Sequence, residues 1–496
     1  MHTHRRILAA PIALALLLGV GISISDSANA EQSHRNDTAL TSVVRGTQDP
    51  ITTIMVGAAP GQPAVSTSSV FVPNAGSKNI SVISRSTNTV ASTISVGSAP
   101  TGAILVGDRV YVALAHSIAV INASTAALET EITVGASPRL PVPSADGKQL
   151  LVANATDGTV SVIETATNIV KATITVGTNP MRPAYGTGPN SMYAHLAYVP
   201  NSVDIPNANQ SSVSVIDLNT LAVVDTIAVT GPLSDAIATL PNAAGSDLMF
   251  VTSKQGGSTS VTAISQGTNK VESHAPLDGD DTPYVGTLSK DGATLYVPGG
   301  GFISAQTTSK LYAEVIAEPA AFTKGNIGPG AMSADGQWML FTSPDKSYFH
   351  STPFVSLLNT ATNTLTAMIH VGNRPESLAW APDGAYAYVS NAGDGTVSAI
   401  NFSTSFWPSA PRKATATQVK QKMRPMTTTV KWKAPKRKAG LNDYWVQPTD
   451  TEKYCKTKKF TCTVKNLSPR KGYDYNIRAR SDIAIGEGII AKKSTR

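Results

Sequence analysis

The chain has 496 residues, of which 41% are hydrophobic and 15% are charged. This length exceeds one ordinary domain and requires either several domains or a repeat array. The balance of apolar and charged residues excludes a disordered chain and a coiled coil. The formal net charge of +7 is unevenly distributed. Residues 409–496 contain 22 Lys and Arg and 6 Asp and Glu, a difference of +16, whereas residues 31–408 contain 16 and 26, a difference of −10.

The N-terminus has the pattern of a secretory signal peptide. Arg5 and Arg6 precede an apolar run from 7 to 24, and an Ala-Asn-Ala cleavage site follows. We therefore expect a signal peptide at 1–30, a linker at 31–48 and an exported mature chain. An uncleaved anchor is the alternative, but a proline and several glycines interrupt a run barely long enough to span a bilayer. No transmembrane segment is expected after cleavage.

A repeating unit fills the chain from 49 to 406. Each unit ends in a Val-Gly pair or its equivalent, and successive glycines lie 38 to 54 residues apart. The closing glycines are Gly57, Gly97, Gly135, Gly177, Gly231, Gly279, Gly328 and Gly372. Turn residues within each unit separate runs of alternating apolar residues, which predicts four antiparallel strands. A period of this size without helical spacing is typical of propeller blades.

Four Asp-Gly pairs begin with Asp146, Asp291, Asp335 and Asp383. Their carboxylates could serve metal binding or catalysis. Their constant place before a strand instead favours hairpin turns, in which Asp bonds to its own backbone and Gly accepts positive φ.

The units resemble the YVTN β-propeller repeat, in strands such as "AYVSNAGDGTVSAIN", "LLVANATDGTVSVIE" and "VFVPNAGSKNISVIS". The resemblance weakens between Gly231 and Gly328. Counting units predicts an all-β fold with eight blades, and seven remain possible because of this irregular region. The last unit lacks a fourth strand, which residues 49–57 can supply. Pairing the first and last strands would remove both open sheet edges.

Residues 407–496 resemble a fibronectin type III domain of the kind found in secreted actinobacterial proteins. Short alternating strands run from "TTTVKWKAP" to "IIAKKS". Trp432 has the place of a core residue on an early strand, and Leu467, Pro469 and Tyr473 match the tyrosine corner of that family. The resemblance implies a second domain, a β-sandwich.

The two cysteines, Cys455 and Cys462, lie close together in this segment. An even number of cysteines in an exported protein predicts a disulfide. A zinc site would need more ligands than the segment contains.

Motifs of known enzymes are missing from the chain. It has no H-E-x-x-H, G-x-S-x-G, dinucleotide-binding or P-loop pattern, and its eight histidines are scattered. Asp278, Asp280 and Asp281 resemble part of a calcium loop but lack the full ligand set. We therefore expect no metal and no cofactor.

The loops between units and those between second and third strands should share one face of the propeller. These loops occur at equivalent positions in each unit, but the residues at their tips differ from unit to unit. A recognition surface requires such a constant scaffold with variable residues. Ordinary solvated charges are the alternative, and aromatic residues of the long loops could pack down as plugs. The candidate binding residues are Arg139, Arg182, Asp235, Tyr284, Tyr348, His350, Arg374 and Glu376.

These patterns predict a monomeric, non-enzymatic propeller scaffold, secreted or associated with the cell wall, that recognises a protein or glycan of the cell envelope. The basic domain would attach it to an anionic wall polymer rather than to nucleic acid. The expected polyanion contacts are Lys436, Arg437, Lys438, Lys456, Lys458 and Lys459. The alternative is a propeller enzyme of the lactone hydrolase or lyase type, acting at the channel mouth.

Overall fold

The structure is a computed structural model. It describes residues 50–187, 192–202, 211–231, 233–238, 247–255, 258–277, 286–299, 302–307, 313–317, 327–343, 353–403, 412–419, 426–436, 438, 441–448, 453–467, 473–481 and 484–491. The predicted signal peptide and linker lie outside these residues. Residues 49–496 belong to one compact unit. The described part of the chain contains no helix long and apolar enough to cross a membrane.

Within the described residues, eight sets of four antiparallel strands follow one another. Sheet 1 contains β2 (Ala64–Val65), β3 (Ser69–Asn74), β4 (Asn79–Ser84) and β5 (Thr89–Ser95); sheet 2 contains β6 (Gly102–Val106), β7 (Arg109–Ala113), β8 (Ser117–Asn122) and β9 (Leu128–Thr133). Sheet 3 contains β10 (Val142–Pro143), β11 (Gln149–Asn154), β12 (Thr159–Glu164) and β13 (Ile169–Thr175); sheet 4 contains β14 (Ala184–Tyr185), β15 (Leu196–Asn201), β16 (Ser211–Asp217) and β17 (Ala222–Val229).

The second half of the array repeats this order. Sheet 5 contains β18 (Leu233–Ala238), β19 (Leu248–Gln255), β20 (Ser258–Ser265) and β21 (Lys270–Leu277); sheet 6 contains β22 (Thr287–Leu288), β23 (Thr294–Gly299), β24 (Phe302–Thr307) and β25 (Ala313–Ala317). Sheet 7 begins with β26 (Gly330–Met332), β27 (Trp338–Ser343), β28 (Phe354–Asn359) and β29 (Thr364–His370); sheet 8 contains β30 (Pro375–Trp380), β31 (Tyr386–Asn391), β32 (Thr396–Asn401) and β1 (Ile51–Met55).

The N-terminal strand completes the last sheet. β1 pairs antiparallel with β32, from Ile51 opposite Ile400 to Met55 opposite Thr396. The predicted donation of a fourth strand by residues 49–57 is therefore confirmed, and the outer edge of β32 is covered.

The apolar core lies between the sheets. Each of eight buried clusters combines side chains from two successive sheets, from sheets 1 and 2 through sheets 7 and 8. The eighth cluster joins Val72 of sheet 1 to Tyr388 of sheet 8. Because the last sheet packs on the first, the array closes on itself. The fold is all-β and propeller-like.

In four units the closing glycine leaves no room for a side chain, because an asparagine of the unit that follows lies against it. A Cβ atom at Gly135 would lie 2.7 Å from Cβ of Asn154, the last residue of the next second strand. The same close contact joins Gly57 to Asn74, Gly177 to Asn201, and Gly372 to Asn391. Each of these buried asparagines donates its amide to hydroxyl or amide oxygens of the third strand, as Asn154 does to Ser161 Oγ at 2.9 Å.

The C-terminal module has two sheets. One contains β33 (Arg412–Val419), β34 (Met426–Lys433) and β37 (Thr461–Leu467), and the other contains β36 (Cys455–Thr457), β35 (Asp443–Pro448), β38 (Tyr475–Arg480) and β39 (Ala484–Ala491). Trp432, Leu467 and Tyr473 are buried in its core. The predicted disulfide between Cys455 and Cys462 is present and joins β36 to β37.

The module also extends sheet 7, a contact that the sequence did not indicate. β39 pairs antiparallel with β29, with Met368 opposite Ile485, so that sheet 7 contains eight strands. Phe354, Met368 and Ile485 form a buried cluster with Trp445 of the module. The outer edge of sheet 7 is thus covered by the same chain.

Candidate binding surfaces

The antiparallel order of the strands gives the ring two ends. The loop face carries the loops between sheets and the hairpins between second and third strands. The turn face carries the turns between first and second strands and between third and fourth strands. From the sequence, the candidate binding residues are predicted to lie on the loop face. In the structure, hydrogen-bonded polar side chains lie on the loop face and on the turn face.

Within the described residues of the loop face, five of the loops between sheets are bonded to the hairpin that follows them. The Ala136 N–H donates to Asp157 Oδ2 at 2.8 Å, and the Asn373 N–H donates to Asp394 Oδ2 at the same distance. In return, the Thr156 N–H donates to the Ala136 carbonyl at 3.3 Å. These aspartates satisfy backbone donors, so their role is to stiffen the loop face.

Two predicted site residues lie on loops that contact each other. Arg139 is half-buried, and its Nη2 donates to Asn179 Oδ1 at 3.0 Å and lies 3.5 Å from Met181 Sδ. Arg182, also half-buried, follows Met181 in that neighbouring loop. The structure therefore brings Arg139 and Arg182 into one region, with the Arg139 guanidinium linking two loops.

Arg374 and Glu376 form a separate pair. Arg374 Nε donates to Glu376 Oε1 at 2.6 Å, and the Arg374 side chain is 60% exposed. Arg374 has a φ of 54°, an uncommon value for a residue with a Cβ atom. Its charge is presented to solvent but is already neutralised by its neighbour.

The other candidates are not brought together within the described residues. Asp235 lies in β18, and its side chain is outside the described part. Tyr284, Tyr348 and His350, like the calcium-like aspartates, lie outside the described residues. In the part that is described, no three His, Cys, Asp or Glu side chains gather in a group that could hold a metal ion.

On the turn face, the aspartates of the Asp-Gly pairs hold hairpin turns, as predicted. Asp146 Oδ1 accepts bonds from the Ser144 hydroxyl at 2.7 Å and from the Lys148 N–H at 3.1 Å. These bonds, the Ser144 hydroxyl first, lower the pKa of Asp146 to about 2. Asp291, Asp335 and Asp383 accept the equivalent backbone bond.

A second polar feature of the turn face was missed by the sequence reasoning. The third residue of the second strand is tyrosine in every even-numbered sheet and phenylalanine or leucine in every odd-numbered sheet. These residues are Phe71, Tyr111, Leu151, Tyr198, Phe250, Tyr296, Leu340 and Tyr388. Aligning the units on that strand would have shown the alternation.

Each tyrosine bonds to the next sheet. Its hydroxyl donates to the Oδ1 atom of an asparagine in the turn between the third and fourth strands, at 2.7 to 3.2 Å. The pairs are Tyr111 with Asn168, Tyr198 with Asn269, Tyr296 with Asn363, and Tyr388 with Asn88. All four asparagines have positive φ, which asparagine tolerates better than most residues. The tyrosine–asparagine bond therefore occurs at every second interface between sheets.

Two of these polar interfaces differ in what fills them. Between sheets 8 and 1, the Arg85 side chain is only 10% exposed and its Nη2 lies 2.6 Å from Asp383 Oδ2. Between sheets 6 and 7 there is an open pocket of about 430 Å³, lined by residues that include Asp291, Tyr296, Asp335 and Thr360. Its volume lies within the roughly 300–1,000 Å³ of small-molecule sites.

The C-terminal module presents its predicted basic residues to solvent. Lys436, Lys438, Lys456, Lys458 and Lys459 are exposed, and Arg437 lies outside the described residues. Lys456 differs from the others because its Nζ lies 3.5 Å from Asp443 Oδ2. Asp443 is also held by Arg480 at 2.7 Å.

No known protein family matches this chain, and no curated protein matches it. Among solved structures, the chain is similar to the hydrazine synthase of Kuenenia stuttgartiensis, with 20% sequence identity and a TM-score of 0.49. The similarity covers 73% of this chain and 99% of that chain. Similarity at this level transfers no function.

Proposed function

We propose that this protein is an exported, non-enzymatic propeller of the YVTN type, whose loop face recognises a protein or glycan at the cell envelope. A fibronectin type III-like domain would hold it near an anionic wall polymer. The observation that carries this proposal is the bonding of five described inter-sheet loops to the hairpins that follow them, which stiffens loops that carry different residues at their tips.

The propeller has eight blades. The eight successive sets of strands support this number, and so does the alternation of tyrosine with phenylalanine or leucine. A closed ring can alternate strictly only if its number of blades is even. A seven-bladed ring would place two units of the same kind side by side.

The C-terminal module is a fibronectin type III-like sandwich. Its strand order, three strands in one sheet and four in the other, fits the sandwich architecture of that family. Burial of Trp432, Leu467 and Tyr473 supports the same assignment. We propose that the protein is a monomer; the pairing of β39 with sheet 7 and of β1 with β32 within one chain supports this proposal.

The enzyme alternative receives no support from the described residues. A catalytic site requires acids, bases or nucleophiles that converge with pKa values suited to proton transfer. The aspartates with lowered pKa instead hold hairpin turns, and those of the loop face bind backbone N–H groups. A broad mixed surface fits recognition better.

Attachment through the basic module rests on its charge. The exposed lysines at 436, 438, 458 and 459 face solvent, and the module's excess of +16 opposes the −10 of the propeller. Attraction between such a surface and a polyanion is screened by salt, with a Debye length of about 8 Å at physiological ionic strength.

The test uses the full mature chain and purified cell walls. Replacing these four lysines by glutamine should abolish sedimentation with the walls at low salt, and the unmodified protein should be released as salt rises. A matched variant with Lys78→Gln, Lys148→Gln, Lys171→Gln and Lys270→Gln, four exposed lysines of the propeller, should sediment normally. If the propeller variant loses binding and the module variant keeps it, the attachment site lies on the propeller and the proposal is wrong.

A further inference from the structure

Two interfaces of the ring have the same architecture on the turn face. Tyr388 and Tyr296 occupy the third position of their second strands, and each donates to an asparagine with positive φ. Asp383 and Asp291 occupy the same place in their turns, where each accepts a bond from the N–H two residues later. The interface between sheets 8 and 1 and the interface between sheets 6 and 7 therefore have equivalent residues at equivalent positions.

At the first interface an arginine fills the space. Arg85 Nη2 bonds to Asp383 Oδ2 at 2.6 Å, and Nη1 donates to the carbonyls of Thr67 at 2.5 Å and Ser66 at 3.1 Å. A planar guanidinium with several fixed donors fits such a set of acceptors well.

At the second interface the arginine is replaced by threonine. The N–H of Thr360 donates to the Gln337 carbonyl at 3.1 Å, as that of Arg85 does to the Ser68 carbonyl at 2.9 Å, so the two residues are equivalent. The Thr360 hydroxyl bonds to the nearby Gly336 carbonyl at 2.6 Å. The volume that Arg85 fills in one interface is open in the other.

The open pocket retains acceptors for a cation. It is lined by the carboxylates of Asp291 and Asp335. The Ser289 hydroxyl lowers the pKa of Asp291; burial opposes ionisation of Asp335, but bonds from Ser333 and Gln337 outweigh it and lower that pKa. The only positive group of the lining, Lys290, donates its Nζ to the Ala334 carbonyl at 2.9 Å. Two carboxylates against one ammonium leave the pocket negative.

We propose that this pocket, between sheets 6 and 7, binds a guanidinium group supplied by another molecule. The group takes the place that Arg85 fills in the equivalent interface, with Asp291 as its principal acceptor. It comes either from a small guanidinium compound or from an arginine side chain of a peptide. This site is on the opposite face from the recognition loops and does not depend on their function.

The test is calorimetric titration of the full mature chain with butylguanidine, with butylamine as the matched ammonium control. The unmodified protein should bind one butylguanidine and bind butylamine at least tenfold more weakly. Thr360→Arg should rebuild the filled interface and abolish binding. Asp291→Asn should weaken binding at least tenfold, because a charge-assisted bond is lost, and Asp383→Asn should leave the affinity unchanged.

The strictest test is a variant that should gain a second binding site. Arg85→Thr should open a second pocket and raise the stoichiometry from one to two. If this variant does not fold, Thr360→Arg and Asp291→Asn still decide the question. Equal binding by Thr360→Arg and the unmodified protein, or equal affinity for butylamine and butylguanidine, would overturn the proposal. A short arginine peptide that binds at least tenfold tighter than butylguanidine identifies a peptide source, and equal affinities identify a small molecule.

Discussion

Replacing Ile54 by alanine should destabilise the whole ring, although the residue lies in a short strand at the edge of the described chain. Ile54 is 5% exposed and packs with Val72, Tyr388 and Val397, so it joins β1 to both sheets 8 and 1. Met55 is the next residue of the same strand and is 69% exposed. The two positions therefore separate core packing from strand pairing.

The magnitude follows from the buried volume. Removing a buried isoleucine side chain to alanine costs about 2–5 kcal/mol, because apolar contacts are lost and a cavity remains. Met55→Ala removes an exposed side chain and should change stability by less than about 0.5 kcal/mol. Since the net stability of folded domains is about 5–15 kcal/mol, the Ile54 change removes a large part of it.

Urea denaturation followed by tryptophan fluorescence measures the difference. Ile54→Ala should lower the midpoint with little change in slope, whereas Met55→Ala should match the unmodified protein. Deleting residues 31–57 should expose the edge of β32 and cause aggregation, and deleting 31–45 should be nearly harmless. Equal midpoints for the two alanine variants, or equal tolerance of both deletions, would show that β1 does not close the ring.

Three further changes have defined outcomes. Reducing the disulfide, which closes a loop with a sequence separation of 7, should cost the C-terminal module about 2 kcal/mol in thermal unfolding; free thiols in the purified protein would contradict it. Gly135→Ala should cost about 1–3 kcal/mol in urea because its Cβ would meet Asn154, while Gly97→Ala has nothing within 4 Å and should be neutral; equal costs would refute the contact. Burial and then the charge of Arg480 lower the pKa of His370, so the unfolded state binds the proton more readily. Stability should therefore fall as pH drops below about 6.5, and His370→Gln should remove that part of the dependence in melting curves at pH 7.5 and 5; an unchanged slope would exclude His370 as the cause.

The sequence alone predicted only part of the candidate binding surfaces. The loops that carry Arg139 and Arg374 could be located, because they follow a recurring glycine. Their partners could not, since Arg139 bonds to an asparagine 40 positions away. Nor could the roles of Asp157 and Asp394 in stiffening these loops, because each binds a backbone N–H that lies 21 positions earlier in the chain.

The sequence by itself determined the features that depend on neighbouring residues. Alternating apolar residues and Asp-Gly turns specify four-stranded units, and the position of a spare strand before Gly57 specifies where the array closes. The spacing of Cys455 and Cys462 likewise places their sulfur atoms on adjacent strands. These features follow from local geometry, in which turn type and strand period act over a few residues.

Only the tertiary structure decided how the units meet. The pairing of β39 with β29 depends on two edges that are distant in sequence, and no local pattern marks them as partners. Whether an interface is filled by Arg85 or left open beside Thr360 also depends on the side chains of two adjoining sheets. Packing between units is long-range, so the same repeat can build both a closed contact and a pocket.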